Sequence, residues 1–493
     1  MFVFYQIAIR MKKLVSLLLT LMIAFFGLSS SAQTVDSLKV KAVENGLEGA
    51  LKSEGQKPWS IQERMTYYHI KGLSIAVICN YKLVWAKGYG WADDSLKIPV
   101  TTQTLFQAAS LSKSLNSVGV LKLLQDKKLD IYADINNYLS SWKFPYDSLS
   151  KGKKISMANL LSHTGGLTVH GFDGYERGTV LPTLQQVLDG QKPANSDPIR
   201  SMFAPGLKSE YSGGGITISQ EIVTDITHQP YDKFMYEKVL KPMGMTSSTY
   251  QQPPNDKKQE LLATGYRPDG AAIKGRYHIY PEQAAAGLWT NPTDLSKYII
   301  ETQLAYEGRS SKVLNQQTTK LRLTPYLDKQ AALGVFLTDL DGTTYFRHSG
   351  ANEGFRSDYF GSLEGGNGLV IMVNSDNGQI MPEIENAIAR VYGFKGLYQS
   401  KLVTTTSVAD SVLQTYTGEY ELVPGFSIAV TREGGHLFGQ GTGQPKFELY
   451  PETQTKFFLK VVDAKMEFIK DDKGQVIKAI LYQNGEHEAK KVK

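Results

Sequence analysis

The stretch Phe106-Gln107-Ala108-Ala109-Ser110-Leu111-Ser112-Lys113-Ser114-Leu115 decides how this chain is read. It sets Ser-x-x-Lys at the start of an apolar-periodic run. Leu111, Leu115, Val118 and Leu121 recur at gaps of four, three and three, which predicts a helix from Ser110 to Leu124. Residues three apart on a helix share a face, so the Ser110 hydroxyl and the Lys113 ammonium can meet. At the helix start, the dipole and the free N–H groups favour developing negative charge. A serine hydroxyl is a weak nucleophile and needs a base. A lysine serves only if its pKa falls from ~10.4, through burial or a neighbouring cation. The spacing alone is common. The chain also holds Ser148-x-x-Lys151 and Ser150-x-x-Lys153, between Pro145 and Gly152, but no apolar helix follows them and they are predicted to be loop.

Outward from this helix the texture alternates. Gly72 to Trp91 predicts a hairpin: Leu73 to Cys79 is rich in β-formers, Asn80-Tyr81-Lys82 turns, and Leu83 to Ala86 returns. Cys79 is expected as a small buried hydrophobe. Helical pieces are predicted near 182–189 and 216–226, and strands return at Tyr345 to Arg347 and Gly368 to Val373. Early and late strands flanking a helical middle predict one sheet built from both ends, with helices packed on it. Beyond Lys395, Val403-Thr404-Thr405-Thr406-Ser407 is polar and is expected to be a linker. From Tyr416 six short strands follow: 418–422, 426–431, 447–450, 456–461, 466–470 and 476–483. They suggest a small antiparallel barrel or sandwich.

The 493 residues, 41% hydrophobic and 21% charged, rule out a peptide hormone, a disulfide knot and a disordered chain. Arg10, Lys12 and Lys13 supply three of the six net positive charges. The remainder is too weak to argue for nucleic acid. One cysteine excludes an internal disulfide framework and a CxxC redox centre. Arg10 to Lys13, the apolar run Leu14 to Leu28 and Ser29 to Gln33 have the three parts of a signal peptide, with cleavage expected after Ala32. The apolar run is shorter than the ~20 residues of a spanning helix, so no stable membrane anchor is expected after cleavage. Met1 or Met11 could be the start. The expectation is a periplasmic or secreted protein.

Two further elements accompany Ser110 and Lys113. Pro205 to Gly213 puts Tyr211 on a loop before a predicted helix, and His348-Ser349-Gly350 follows a predicted strand. In this order the three resemble the active-site serine β-lactamase and penicillin-binding-protein superfamily. More narrowly they are similar to its class C β-lactamase-like serine hydrolases, which include esterases and D-amino-acid-specific peptidases. Flanking stretches share the resemblance: Phe106 to Ala109, Ile155 to Leu167, Ala285 to Thr290 with Asp294-Leu295, and Gly350 to Phe355. It runs from about residue 40 to 395, and the tail from Tyr416 is similar to a small β domain often appended to these hydrolases.

The resemblance implies an α+β fold. An antiparallel β-lactamase/transpeptidase-like sheet would be flanked by helices, with a mainly helical subdomain and a C-terminal barrel-like all-β domain. The implied divisions are a signal peptide (1–32), a hydrolase domain (33–395), a linker (396–412) and the small β domain (413–493). It implies that Ser110 forms an acyl-enzyme, that Lys113 accepts or steers its proton, and that Tyr211 is general base or relay. His348, Ser349 and Gly350 would bind substrate, His348 with Lys113 supplying positive charge beside the phenol. The backbone N–H groups of Ser110 and Ala351 would form the oxyanion hole. No cofactor or metal is needed. Partners would be small esters, peptides or β-lactams, including cell-wall-derived ones, and not nucleic acid. His163 is expected to be structural, as a helix C-cap before Gly165-Gly166. Two departures bear on substrate. Gly213 stands where many relatives carry asparagine, and His348-Ser349 where they carry Lys-Thr. Both tilt the expectation from β-lactams toward an esterase or small-peptide amidase. The competing readings are a catalytically silent penicillin-binding or cell-wall-sensing protein, and a peptidoglycan-binding module working through its C-terminal domain.

Overall fold

Gly72–Cys79 (β1) is apolar at nearly every position because both of its faces are covered. It lies inside a seven-stranded antiparallel sheet with Lys82–Asp93 (β2), Ile98–Pro99 (β3), Phe336–Leu340 (β4), Thr343–Asn352 (β5), Phe355–Ser362 (β6) and Gly368–Val373 (β7), in the order β3-β2-β1-β7-β6-β5-β4. The computed structural model describes residues 37–492, apart from residues 445 and 461. The expected signal peptide lies outside the described residues. Early and late strands meet where β7 pairs with β1, Ile371 opposite Ile75. Asn80 and Tyr81, both at positive φ, close the β1–β2 hairpin in the hand that suits twisted strands. Cys79 is only half-buried.

Leu111–Lys127 (α1) packs against one face of the sheet. Its periodicity suggested one apolar stripe, but thirteen of its seventeen residues, from Leu111 to Leu124, are buried. The helical subdomain covers its other side, so serines and Asn116 along it find partners inside: Asn116 donates to Ser219 Oγ, and Tyr359 donates to Ser114 Oγ. Gly213–Thr227 (α2) and Pro292–Tyr306 (α3) complete that layer. On the opposite face lies Ile380–Tyr392 (α4). A buried Arg64–Glu383 pair, joined by Tyr68, ties α4 to the helix Ile61–Tyr67. Among the described residues no helix is long and apolar enough to cross a membrane.

The stretch expected as a linker is partly structured. Lys401–Val403 pairs in parallel with Leu51–Ser53, and Val403 is buried with Leu51 and Phe458. Asp410–Tyr416 is a helix. Beyond it is a closed barrel of eight antiparallel strands: Gly418–Val423 (β8), Phe426–Glu433 (β9), His436–Gly441 (β10), Lys446–Pro451 (β11), Lys456–Leu459 (β12), Ala464–Lys470 (β13), Val476–Tyr482 (β14) and Glu486–Lys491 (β15). Six strands were legible. The two missed ones are β10, which carries two glycines, and β15, whose outward positions are charged and which buries only Ala489. Closure recruits both, because an unpaired edge costs more than weak strand propensity.

Candidate active site

The turn before α1 is held in an uncommon conformation. Ala109 has φ +50°, a region that side chains other than Gly rarely adopt. Its neighbours fix it. Phe106–Gln107 pairs with Trp289–Thr290, the Ala108 N–H donates to the Leu288 carbonyl, and Ser112 Oγ donates to the Ala109 carbonyl. Ser110 is therefore pushed out at the start of α1. The decoy serines are elsewhere: Ser148–Ser150 is a single 3₁₀ turn, Ser150 bonds Ser201, and neither serine lines the cleft.

Lys113 is buried at 3% exposure. Its Nζ donates to Ser110 Oγ (2.9 Å) and to the Ala285 carbonyl (2.6 Å), and it lies 5.1 Å from the centre of the Tyr211 ring. Tyr211 is positioned by the start of α2. Ser212 caps that helix, its Oγ accepting from the Gly215 N–H, and His170 binds the Tyr211 carbonyl. Ser110, Lys113 and Tyr211, a hundred residues apart in sequence, thus meet. A cleft of about 740 Å³ opens over them and is lined by Ser110, Tyr211, His348, Ser349, Gly350 and Ala351. β4 pairs with β5 only from Thr343 to Arg347, so residues 348–352 form a free sheet edge along this cleft.

Gly350 shows why this motif needs a glycine. A Cβ there would lie 2.4 Å from the Ala108 carbonyl oxygen and 2.5 Å from Ser357 Oγ. Ser357 Oγ itself donates to that carbonyl (2.9 Å). The edge of β5 and the serine turn touch backbone to backbone, which brings Ala351 beside Ser110. Asn352 adds a second tie, donating to Gln107 Oε1 and the Ala286 carbonyl.

The charge expected of His348 is not there. The ring is 2% exposed, and burial and the nearby Lys113 push its pKa down to about 3, so it is neutral at ordinary pH. Nδ1 faces the Ser349 carbonyl, while Nε2 is buried with no partner. His163, expected to be only structural, also lines this corner. It stands at φ +59°, just before the Gly165-Gly166 turn and one residue past Ser162; the C-cap of the short helix Met157–Leu161 is Ser162, not His163. Its ring lies 4.4 Å from Tyr211, and its Nδ1 accepts the Ser212 N–H. Burial and Lys113 keep it neutral too. Two neutral imidazoles therefore flank the tyrosine.

Other lining residues left no sequence signal. Phe336 stacks on Tyr211 from β4. Arg347, Arg356, Asp358 and Glu385 line the cleft behind the strand edge. Arg347 pairs with Asp358, whose acidity is lowered by burial and by the charge of Glu385. No spacing joins these residues. Where the asparagine is missing the space is tight: a Cβ on Gly213 would lie 3.1 Å from both the His170 carbonyl oxygen and the Phe172 ring.

Family profiles match both parts of the chain. The profile of the family described as "Beta-lactamase" matches residues 60–392, and that of "Domain of unknown function (DUF3471)" matches residues 404–491. Protein flp of Staphylococcus aureus (strain MRSA252) is 24% identical over 375 residues, 75% of this chain and 71% of that protein. The octameric penicillin-binding protein homologue from Pyrococcus abyssi superposes with a TM-score of 0.60 at 19% identity, over 87% of this chain and 98% of its own. SurE, solved with D-Leu, superposes with a TM-score of 0.54 at 18% identity, over 87% of this chain and 97% of its own. At such identities the two superpositions show shared fold alone. With two-thirds of its length matched by the family profile, this chain belongs to the β-lactamase family and carries a closed eight-stranded barrel at its C-terminus.

Proposed function

We propose that this protein is an exported serine hydrolase that acts on an ester or amide through an acyl-enzyme. The observation that carries the reading is the 2.9 Å contact between Lys113 Nζ and Ser110 Oγ, partly buried beside Tyr211 at the edge of an open cleft. Ser110 Oγ attacks the carbonyl. Lys113 and Tyr211 carry its proton to the leaving group, and the backbone N–H groups of Ser110 and Ala351 receive the oxyanion. Water then cleaves the acyl-enzyme by the reverse proton path. The leader-like N-terminus supports export to the periplasm or outside the cell.

Esters are favoured over β-lactams. With Gly213 in place of asparagine and Phe172 in the space, no side-chain amide is offered there to a substrate acylamido group. A neutral His348 leaves the third motif without a cation for a carboxylate. An ester needs neither, whereas an unpaired polar group costs a β-lactam about 1–3 kcal/mol, roughly 10–100-fold in rate. The test is intact-mass detection of a fluorophosphonate adduct on wild type and Ser110→Ala, with kcat/KM for a p-nitrophenyl ester and a chromogenic cephalosporin. An adduct on wild type alone and a faster ester are expected. No adduct on wild type would leave a silent binding protein. A faster cephalosporin would overturn the ester preference.

A further inference from the structure

The barrel is closed at one end and hollow at the other. The closed end is filled by Leu413 and Tyr416 from the Asp410–Tyr416 helix, with Tyr416 stacked 4.4 Å from Phe468 and Tyr420 donating to the Tyr416 carbonyl. The other end holds a cavity of about 410 Å³, walled by Phe426, Ile428, Phe447, Leu449, Met466 and Leu481. An eight-stranded barrel is just wide enough either to fill itself with side chains or to hold one small ligand. Here two glycines decide it. Gly439 and Gly441 line the cavity, and neither has a positive φ that would require glycine. A Cβ on Gly439 would make only ordinary contacts, 3.5 Å from Leu449 and 3.7 Å from Ile428. Neither turn geometry nor crowding demands a glycine at 439, and what its absent side chain leaves is room. Gln444 and Gln483 are the polar groups on the barrel wall. A mostly apolar cavity with a few amides is the usual form of a small-molecule site.

The cavity also reaches the hydrolase domain. Gln379, just before α4, lines it, while its chain neighbour Gly378 lines the cleft over Ser110, as do Met381 and Pro382 on the first turn of α4. Consecutive Cα atoms are about 3.8 Å apart, so one short segment forms a wall of both spaces.

We propose that the barrel cavity binds the aliphatic chain of an amphipathic molecule whose polar carbonyl end lies in the Ser110 cleft. That this molecule is a substrate rests on the hydrolase reading; the chain-binding site does not. The test uses the full chain and cis-parinaric acid, a linear fatty acid that fluoresces in apolar surroundings. Saturable one-to-one binding is expected for wild type and for Ser110→Ala. Gly439→Leu, which projects a side chain into the cavity, should weaken it at least tenfold, and Gly441→Leu should do the same where the end of Gln444 and the Phe426 ring must give way. Circular dichroism checks that each variant folds. In turnover, p-nitrophenyl decanoate should be preferred to the acetate, and Gly439→Leu should raise KM for the decanoate at least tenfold without changing the acetate. Absent saturable binding by wild type, or unchanged binding in both folded leucine variants, overturns the site. A chain-length preference untouched by Gly439→Leu overturns its link to the cleft. Probe binding without turnover of either ester would refute the hydrolase reading alone.

Discussion

Gly350→Ala tests whether backbone contact between β5 and the serine turn builds the site. The new Cβ would stand 2.4 Å from the Ala108 carbonyl oxygen, about 1 Å short of ordinary contact, and 2.5 Å from Ser357 Oγ. Neither obstacle is the loose end of a long side chain, so the strand and the turn must separate. Overpacking of this kind costs about 1–3 kcal/mol of stability. The rate should suffer more. Ser110 rides on the turn and Ala351 on the strand, so a separation near 1 Å pulls apart the two N–H groups assigned to the oxyanion, and a misplacement of that size costs roughly 10²-fold. Ser357→Ala is the control, because it loses the 2.9 Å hydrogen bond to Ala108 without inserting an atom. It should cost about 1 kcal/mol and little rate. The assays are kcat/KM for a p-nitrophenyl ester, the rate of fluorophosphonate labelling, and thermal melting. A Gly350→Ala protein that melts lower but reacts at the wild-type rate would show that the strand's distance from the turn does not set the chemistry. Wild-type melting and rate together would refute the contact itself.

Further outcomes follow from buried charge and from the junction of the domains. Burial pushes the Glu282 carboxyl up to about 7, and both its oxygens lack partners, so the fold keeps a proton that the unfolded chain gives up above its ordinary pKa near 4.5. The stability this holds is present below that value and lost as pH rises through 7; Glu282→Gln should therefore raise stability at pH 8 by on the order of 3 kcal/mol and change little near pH 4, and equal effects at both would refute it. His348 has the opposite sign: its folded pKa near 3 lies below the ordinary 6.5, so its contribution is full above pH 6.5 and falls by about 1.4 kcal/mol per pH unit on acidification toward 3. His348→Gln should flatten the melting temperature against pH over that window, and an unchanged slope would put the acid sensitivity elsewhere. Ending the chain after Val403 should leave a folded hydrolase domain, since both cores of the sheet are complete before that point, but should cost about 2 kcal/mol as Leu51 loses its cover from Phe458. An insoluble product would show that the barrel is needed for the first domain to fold.

Much of this protein was local enough to read along the chain. A helix beginning at Ser110 follows from apolar spacing, and Ser110 and Lys113 meet because three residues nearly close one helical turn. The β1–β2 hairpin, the late strands and most of the barrel follow from alternation and turn residues, which act within a few positions. Tyr211 and His348 had no local claim on the site and were placed there by resemblance. What only the tertiary structure decided depends on neighbours distant in sequence. Whether His348 carries a charge depends on burial and on Lys113, and both make it neutral. Whether His163 is merely structural or also walls the tyrosine depends on where the start of α2 falls. That α1 is covered on nearly every side, that residues 401–403 join a strand from residues 51–53, and that the charged segment Glu486–Lys491 closes a barrel are consequences of packing and pairing. The hollow of that barrel shows the difference most plainly. Gly439 and Gly441 lie in a strand that the sequence reading missed, and only closure of the eight strands around them turns two missing side chains into a space.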